Sequence, residues 1–262
     1  MILKKRARYH KNKLRYWRRQ MGRNDKCFCG SGKKVKKCHF TVKENSKLAS
    51  IYIANSDFDK HVNEENIRAN CPKECSACCS DFFYITENEF LLILDGLLKK
   101  GGSTLVNKYI DRANEYHQYL ADYFPEIING LDEYMPKSDS ISGVQKYFND
   151  NYGWNRSRNC IFLENGKCSI YEDRPHICRM YGVCSTCEIL SNPEREFLEA
   201  TKLIQTQIIM GSKPIIKRPY PLFYYFSFFL NEKYYETMMK KLSMIRSQND
   251  LSYAKFTESI MR

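Results

Sequence analysis

Motifs of the common nucleotide-binding and hydrolytic enzymes are missing from this sequence. Its 262 residues contain no Walker loop, no Gly-x-Gly-x-x-Gly after a strand, no His-Glu-x-x-His and no Gly-x-Ser-x-Gly. The first 24 residues hold no apolar run with a cleavage site, and the longest apolar stretch, residues 221–230, is about half of a bilayer span. The sequence therefore predicts a cytoplasmic protein without a membrane span, and no motif supports a specific enzyme.

Acidic residues are also missing from the first 24 positions, whereas basic residues are abundant there. Residues 1–43 contain 16 Lys and Arg and a single acid, Asp25, while the rest of the chain carries 26 of the 42 bases and 29 of the 30 acids. We expect this N-terminal part to bind a polyanion or partner, namely the ribosome, RNA or a protein. The alternative is a solvated arm whose charge only aids solubility. The residues predicted to contact a polyanion are Arg15, Arg18, Arg19, Lys33, Lys34, Lys36 and Lys37.

Four soft metal ligands follow this basic arm. Cys27 and Cys29 flank one residue, a turn with two glycines comes next, and Cys38 and His39 are adjacent. Three thiolates and an imidazole make up a closed tetrahedral zinc site, and the glycines allow the backbone to turn between them. The spacing predicts a zinc knuckle that depends on the metal for its folding.

The segment resembles the SEC-C motif, the zinc-binding module found at the C-terminus of the SecA translocation ATPase. The resemblance rests on the Gly-Arg-Asn-Asp lead at residues 22–25, the Gly-Ser-Gly-Lys-Lys turn at residues 30–34 and the four ligands. Lys26 stands where the family usually has proline. The resemblance implies a module that docks onto other proteins or the ribosome.

Nine further cysteines form the densest feature of the chain. Thiols two or three residues apart can point at one centre, which suits tetrahedral zinc and iron–sulfur clusters alike. In a reducing cytosol such thiols are metal ligands rather than disulfides. The predicted ligands, of which a subset binds, are Cys71, Cys75, Cys78, Cys79, Cys160, Cys168, Cys178, Cys184 and Cys187.

The spacing leaves the metal and the number of centres open. Nine thiols allow two sites of four ligands with one thiol left over, or one cluster with additional structural cysteines. An iron–sulfur cluster is favoured over zinc because the ligands are almost exclusively thiols. His176 either replaces a thiolate or, as is more usual for a single histidine in a turn, makes a hydrogen bond.

The second group of cysteines surrounds a predicted hairpin and an arginine-rich turn. Residues 161–163 are apolar and Asn165-Gly166 favours a tight turn, so that thiols lie at the open ends of the hairpin. Arg174 and Arg179 flank Cys178, and cations beside thiolates lower the pKa of a thiol and offset the charge of a thiolate centre.

The cysteine pattern resembles that of the YkgJ family of zinc- or iron-chelating cysteine-cluster proteins. The matching runs are Cys-x3-Cys-x2-Cys-Cys from Cys71, Cys-x-Phe-Leu from Cys160 and Cys-x-Ile-Tyr-x-x-Arg-Pro-x-x-Cys-Arg from Cys168. The resemblance implies a metal or iron–sulfur centre within residues 68–187, and a similar cluster occurs in flagellin lysine methylases, which use S-adenosylmethionine. The residues implied to surround the ligands are Tyr171, Arg174, Pro175 and Arg179.

Helical signals dominate the rest of the chain. Thr86 and Glu89 form a capping-box signature before an apolar helical repeat that ends at Gly101-Gly102, and a second helix is predicted from about residue 104 to residue 123. Further helices are predicted at residues 192–210 and 233–246, and the aromatic stretch 220–230 is predicted to lie in the core. The predicted fold is α-rich (α+β with minor β), a helical domain around a cysteine-rich metal core plus a small N-terminal zinc knuckle.

The predicted function is zinc or iron–sulfur binding, or both, in an accessory or interaction protein tethered through its basic knuckle. The alternative is an enzyme that uses the cluster, such as a protein lysine methylase of the flagellin-methylase type or a redox protein. The predicted parts are a basic arm (1–20), a knuckle (21–40), a connector (41–66), a cysteine-cluster domain (67–190) with a helical insert at about 85–150, and a C-terminal helical part (191–262).

Overall fold

The computed structural model describes residues 21–64, 76, 79, 84–133, 159–180 and 219–249. These residues are mostly helical with four two-residue strands, which confirms the predicted α-rich class. The helices are α1 (Lys47–Glu64), α2 (Glu87–Tyr123), α3 (Pro125–Glu133), α4 (His176–Met180), α5 (Leu222–Ser227) and α6 (Tyr235–Ser247). The strands are β1 (Tyr84–Ile85), β2 (Leu163–Glu164), β3 (Lys167–Cys168) and β4 (Tyr220–Pro221), and the 3-10 turns are Val35–Lys37 and Tyr171–Asp173. The arm 1–20 and the helix predicted at 192–210 lie outside the described residues.

Helix α2 begins and bends where the sequence predicts. The hydroxyl of Thr86 accepts a hydrogen bond from the backbone N–H of Glu89, and the backbone N–H of Thr86 donates to the Glu89 carboxylate at 2.9 Å. This capping box satisfies two N–H groups that a helix start otherwise leaves unpaired. Gly102, with φ 62° and ψ −155°, kinks the helix between its two predicted halves. Among the described helices, none combines the length and the apolar composition that a bilayer crossing requires.

The core lies between the first half of α2 and the aromatic helix α5. Residues 90–94 of α2 are fully buried, as are Tyr224, Tyr225 and Phe226 of α5. The Phe90 ring stacks on Tyr225 with centroids 4.9 Å apart and meets Phe226 edge-on at 5.5 Å. Aromatic pairs at these distances add to the free energy that burial itself provides. The prediction that the stretch 220–230 is core is confirmed.

The short strands hold distant parts of the chain together. Strand β1 pairs antiparallel with β4, so that Ile85 lies opposite Tyr220. Strands β2 and β3 form the predicted hairpin, with Leu163 opposite Cys168. Its turn residues Asn165 and Gly166 both have positive φ, 49° and 74°, as a type I′ hairpin turn requires. The hairpin prediction is therefore confirmed.

Buried charges join the helices at a second set of contacts. Asp95 of α2 accepts a hydrogen bond from the Tyr52 hydroxyl of α1 at 2.7 Å and from Arg246 Nε of α6 at 2.6 Å. Lys241 of α6 forms an ion pair with Glu87 in the first turn of α2, and both side chains are fully buried. These contacts orient α1 and α6 against α2, because an unpaired charge in this core would be costly.

Replacing Gly96 by alanine should destabilise the fold by about 1–3 kcal/mol, as overpacking of a core does. A Cβ at Gly96 would overlap the Asp173 carboxylate and lie 2.9 Å from the Asp173 Cβ. Asp173 would have to leave its ion pair with Lys100, now 2.8 Å long. Urea unfolding measures the loss. The comparison is the same change in an Asp173→Gly background, which removes the atoms nearest to the added Cβ. A loss of stability that stays equal in that background would contradict the steric argument.

Candidate metal centres

The first candidate centre is the knuckle, defined as residues 21–40. One ligand atom from each of Cys27, Cys29, Cys38 and His39 lies within 4.8 Å of the others. Cys29 Sγ is 3.5 Å from Cys38 Sγ, and His39 Nδ1 is 3.2 Å from Cys27 Sγ. A tetrahedral zinc with Zn–S bonds of about 2.3 Å holds its sulfurs about 3.8 Å apart. The donor set therefore fits zinc with His39 binding through Nδ1, and it is the one such group within the described ranges.

Glycines and backbone hydrogen bonds shape the knuckle. Gly30 and Gly32 have φ of 76° and 73°, a left-handed conformation that glycine adopts without steric cost. The backbone N–H of Cys27 donates to the carbonyl of Lys33 at 2.8 Å. The loop thus returns beside its own start, and the 3-10 turn Val35–Lys37 leads directly into the second pair of ligands.

The thiols of the knuckle shift one another's pKa. The pKa of Cys29 is lowered to about 2, first by a hydrogen bond from the Cys27 thiol and further by His39 and Ser31. The pKa of Cys27 is raised, first because its proton is held in that same hydrogen bond and then by burial. A dication would displace this shared proton and offset most of the negative charge of the gathered thiolates. The protonation chemistry of the donor set agrees with its geometry.

The knuckle packs against the helical core through its ligand side. His39 is buried, its ring lies 4.0 Å from the ring of Tyr52 and stacks on Phe28 at 5.3 Å. Nζ of Lys99 on α2 lies 3.1 Å from His39 Nε2. Three thiolates and one zinc dication would carry a net negative charge, which a lysine at this position offsets. The sequence offered no local signal for Lys99, because this contact spans 60 positions.

The basic residues of the knuckle face away from the core. Lys33, Lys34, Lys36 and Lys37 are all exposed. Phe40 is also exposed, at 56%, and the guanidinium of Arg23 lies 4.7 Å from the centroid of its ring. Arg15, Arg18 and Arg19 lie outside the described residues. The described part of the predicted polyanion contact is therefore a solvent-facing surface.

The second candidate centre is the main cysteine core. Cys79 and Cys160, far apart in sequence, are neighbours, because the N–H of Cys160 donates to the carbonyl of Cys79 at 2.6 Å. Cys168 lies on β3 and Cys178 on α4, and Cys160, Cys168 and Cys178 are half-buried. The structure thus joins the two halves of the cysteine pattern at one point. The remaining predicted ligands, Cys71, Cys75, Cys78, Cys184 and Cys187, lie outside the described residues.

The hairpin that carries Cys168 is fastened to helix α2. The Tyr109 hydroxyl donates to Glu164 at 2.7 Å and lies 2.7 Å from the Ser169 hydroxyl. Arg112 donates to Glu164 at 3.0 Å. Burial, followed by the hydrogen bond to Glu164, raises the pKa of Tyr109 to about 12. Tyr109 therefore stays a neutral donor that holds the hairpin beside the core.

Helix α4 is held by the same glutamate that caps α2. The backbone N–H of His176 donates to Glu89 Oε1 at 2.9 Å, while Glu89 Oε2 accepts from Thr86. The imidazole of His176 meets the Phe58 ring edge-on at 4.7 Å. Burial lowers the pKa of His176 to about 4, with Arg179 adding to the effect, so the ring is neutral at neutral pH. Neither ring nitrogen has a hydrogen-bond partner among the described residues, so the favoured hydrogen-bonding role is not observed there.

The two arginines of the cysteine pattern share one carboxylate. Arg174 and Arg179 are 5% and 3% exposed. Asp59 of α1 pairs with Arg174 at 3.5 Å and forms a closer ion pair with Arg179. The guanidinium of Arg174 also lies 3.7 Å from the centre of the Tyr171 ring, and the carbonyl of Pro175 accepts the backbone N–H of Arg179 at 3.2 Å. Sequence reasoning found no chemistry around Asp59, because its partner lies 120 positions away.

Comparison with family models identifies both regions. Residues 23–40 match the SEC-C motif. Residues 70–202, just over half of the chain, match the CxxCxxCC family, described as a "putative zinc- or iron-chelating domain". The chain belongs to this family. No curated protein and no solved structure matches it.

Two separate regions of the chain support metal binding. One is the segment 70–202 through its family description, and the other is the knuckle, outside that segment, through its four converging donor atoms. The family segment contains the hairpin, α4 and both buried arginines. Helix α1 lies between the two matched regions and belongs to neither.

Proposed function

We propose that this chain is an accessory metalloprotein of the cytoplasm with two kinds of metal centre. The knuckle holds a structural zinc through Cys27, Cys29, Cys38 and His39. The main cysteine core holds an iron–sulfur cluster through a subset of its nine thiols. The basic face of the knuckle attaches the protein to a polyanionic partner, for which the ribosome is the first candidate.

The observation that carries the proposal is the convergence of four soft ligand atoms within 4.8 Å. A closed set of four ligands is typical of structural zinc, whereas catalytic zinc keeps one position open. The main core supports a cluster because its ligands are thiols and because buried arginines stand beside Cys178. Neither centre needs a substrate to explain its composition.

Metal analysis of the anaerobically purified full chain tests the two assignments. We expect zinc and iron together, with absorbance at about 400 nm from the cluster. Cys38→Ser should remove the zinc and leave most of the iron, and Cys178→Ser should lower the iron content and the absorbance. A colourless protein that contains zinc and no iron would refute the iron–sulfur assignment and leave the knuckle assignment standing.

The exposed lysines support attachment to a polyanion. Four lysines lie within five positions around the 3-10 turn, and all are exposed. The Arg23–Phe40 pair on the same module adds a cation and an exposed ring, the combination that stacks on bases and contacts phosphates. A metal bound in the knuckle would fix its shape and so hold these groups in one arrangement.

Changing Lys33, Lys34, Lys36 and Lys37 to glutamine should make ribosome binding weaker and less dependent on salt. Loss of four phosphate contacts on single-stranded RNA reduces the slope of log K against log salt by about 3. Cosedimentation across a salt series measures the slope. The matched control changes four exposed lysines elsewhere, Lys60, Lys167, Lys233 and Lys240, and should leave the slope as in the wild type. Equal slopes in the two variants would refute attachment through this face.

A further inference from the structure

Helix α1 touches the knuckle with one face. The ring of Tyr52 lies 4.0 Å from the ring of the ligand His39. One turn further along, Ser56 lies so close to Gly30 that a Cβ on the glycine would overlap the serine hydroxyl. Gly30 belongs to the loop between the two pairs of ligands. Helix α1 therefore packs closely against the folded form of the knuckle.

The next turn of the same helix touches the segment 171–180, which carries Cys178 of the main cysteine core. Phe58 contacts the ring of His176 at 4.7 Å, and Asp59 pairs with Arg174 and Arg179. Because the two guanidiniums are buried, the carboxylate compensates charges that water reaches poorly. Removing one partner from such a group is far more costly than losing an exposed pair.

The two contacts lie on one side of one rigid element. Residues 52, 56 and 59 are spaced by four and three positions, which places them on the same helix face. At a rise of about 1.5 Å per residue, the knuckle contact and the arginine contact are only about 10 Å apart along the axis. A displacement of α1 at the knuckle would therefore move Asp59 relative to the arginines.

We propose that α1 couples the two centres, with Asp59 as the residue that transmits the coupling. A metal-bound knuckle holds α1 where Asp59 pairs with Arg174 and Arg179, and this pairing orders the segment 171–180 that carries Cys178. Loss of the knuckle metal removes one of the contacts that position α1, while the Tyr52–Asp95 hydrogen bond remains, and loosens that segment. The inference rests on the proposed zinc in the knuckle, and by linkage the effect runs equally in both directions.

Hydrogen exchange on the full chain, read peptide by peptide, tests the coupling in Asp59→Asn. We expect faster exchange in residues 171–180, and residues 26–40 should open at a zinc-chelator concentration at least about five-fold lower than in the wild type. Glu64→Gln is the matched control, because it removes an exposed carboxylate from the same helix and should change neither readout. An unchanged chelator midpoint in Asp59→Asn would overturn the coupling.

The reverse direction uses Cys38→Ser and the double variant with Asp59→Asn. Cys38→Ser alone should speed exchange in residues 171–180, and adding Asp59→Asn should produce little further change, because both act through one contact. Additive effects would overturn the route through Asp59. Faster hydrogen exchange in residues 105–120 of α2 would show that Cys38→Ser unfolds the whole protein. The chelator midpoint of Asp59→Asn then decides whether the two centres are coupled. If the chelator does not speed hydrogen exchange of residues 26–40 in the wild type, the proposed zinc is refuted, and the coupling with it.

Discussion

Cys38→Ser in the full chain is expected to remove one zinc ion and to unfold the knuckle. The knuckle contains only a 3-10 turn and one isolated bridge between Lys26 and Lys34, and its buried residues are the proposed ligands Cys27 and His39. Structural zinc contributes about 10–16 kcal/mol of apparent binding free energy in isolated fingers. We therefore expect the free energy of unfolding of residues 21–43 to fall by at least about 3 kcal/mol, a fraction of that value.

Zinc counting and hydrogen exchange of residues 21–43 measure this result. Ser31→Ala is the matched control, because the Ser31 hydroxyl lies 3.3 Å from Cys38 Sγ without being a predicted ligand. It should keep the zinc and lose only a weak hydrogen bond. Full zinc content in Cys38→Ser would show that Cys38 is not a required ligand. Loss of the zinc with wild-type protection would show that packing of His39 against Tyr52 and Phe28 folds the knuckle without the metal.

Lys241→Met is expected to destabilise the helical core by about 3–5 kcal/mol. Lys241 and Glu87 are paired with no solvent exposure of either side chain. The methionine would leave the Glu87 carboxylate without its partner in a dry site at the start of α2. The double variant Lys241→Met with Glu87→Gln removes both charges and should recover part of the loss. Urea unfolding of the two single variants and the double variant gives the coupling free energy.

The stability of the Glu87→Gln variant should depend on pH, and the pKa of Lys241 fixes the sign of this dependence. Burial lowers the pKa of Lys241 below its ordinary value of 10.5, and Glu87 opposes this effect. Without the carboxylate the folded pKa falls further, so between that pKa and 10.5 the unfolded chain binds more protons than the folded chain. Stability then rises with pH in this window. The free energy of unfolding of Glu87→Gln should lie below that of the wild type by an amount that shrinks from pH 7 to pH 9. A constant difference would show that Lys241 does not titrate between these pH values.

Local features were predictable because their causes lie within a few residues. The Thr86–Glu89 capping box, the break at Gly102 and the Asn165-Gly166 hairpin each depend on short-range hydrogen bonds or on backbone conformation. The convergence of the four candidate ligands of the knuckle was predictable for the same reason, since a loop of thirteen residues, 27–39, supplies all of them. In each case the residue type itself specifies the geometry.

Contacts across long sequence separations were not predictable from one chain. The segment 41–66 reads as a polar connector with one helix, yet one face of that helix is buried and touches both the knuckle and the segment that carries Cys178. The sequence around Asp59 and Lys99 does not indicate their partners, because it resembles the sequence around any exposed carboxylate or lysine on a helix. The pairing of Lys241 with Glu87 is invisible for the same reason.

The sequence by itself therefore determined the helical class, the caps and turns, and the four donor residues that converge in the knuckle. Only the tertiary structure decided that the knuckle lies against α1 and α2 and that Asp59 joins the two buried arginines. The physical reason is that ligand chemistry and turn geometry are properties of neighbouring residues. The compensation of a buried charge depends on which distant side chain the fold brings beside it.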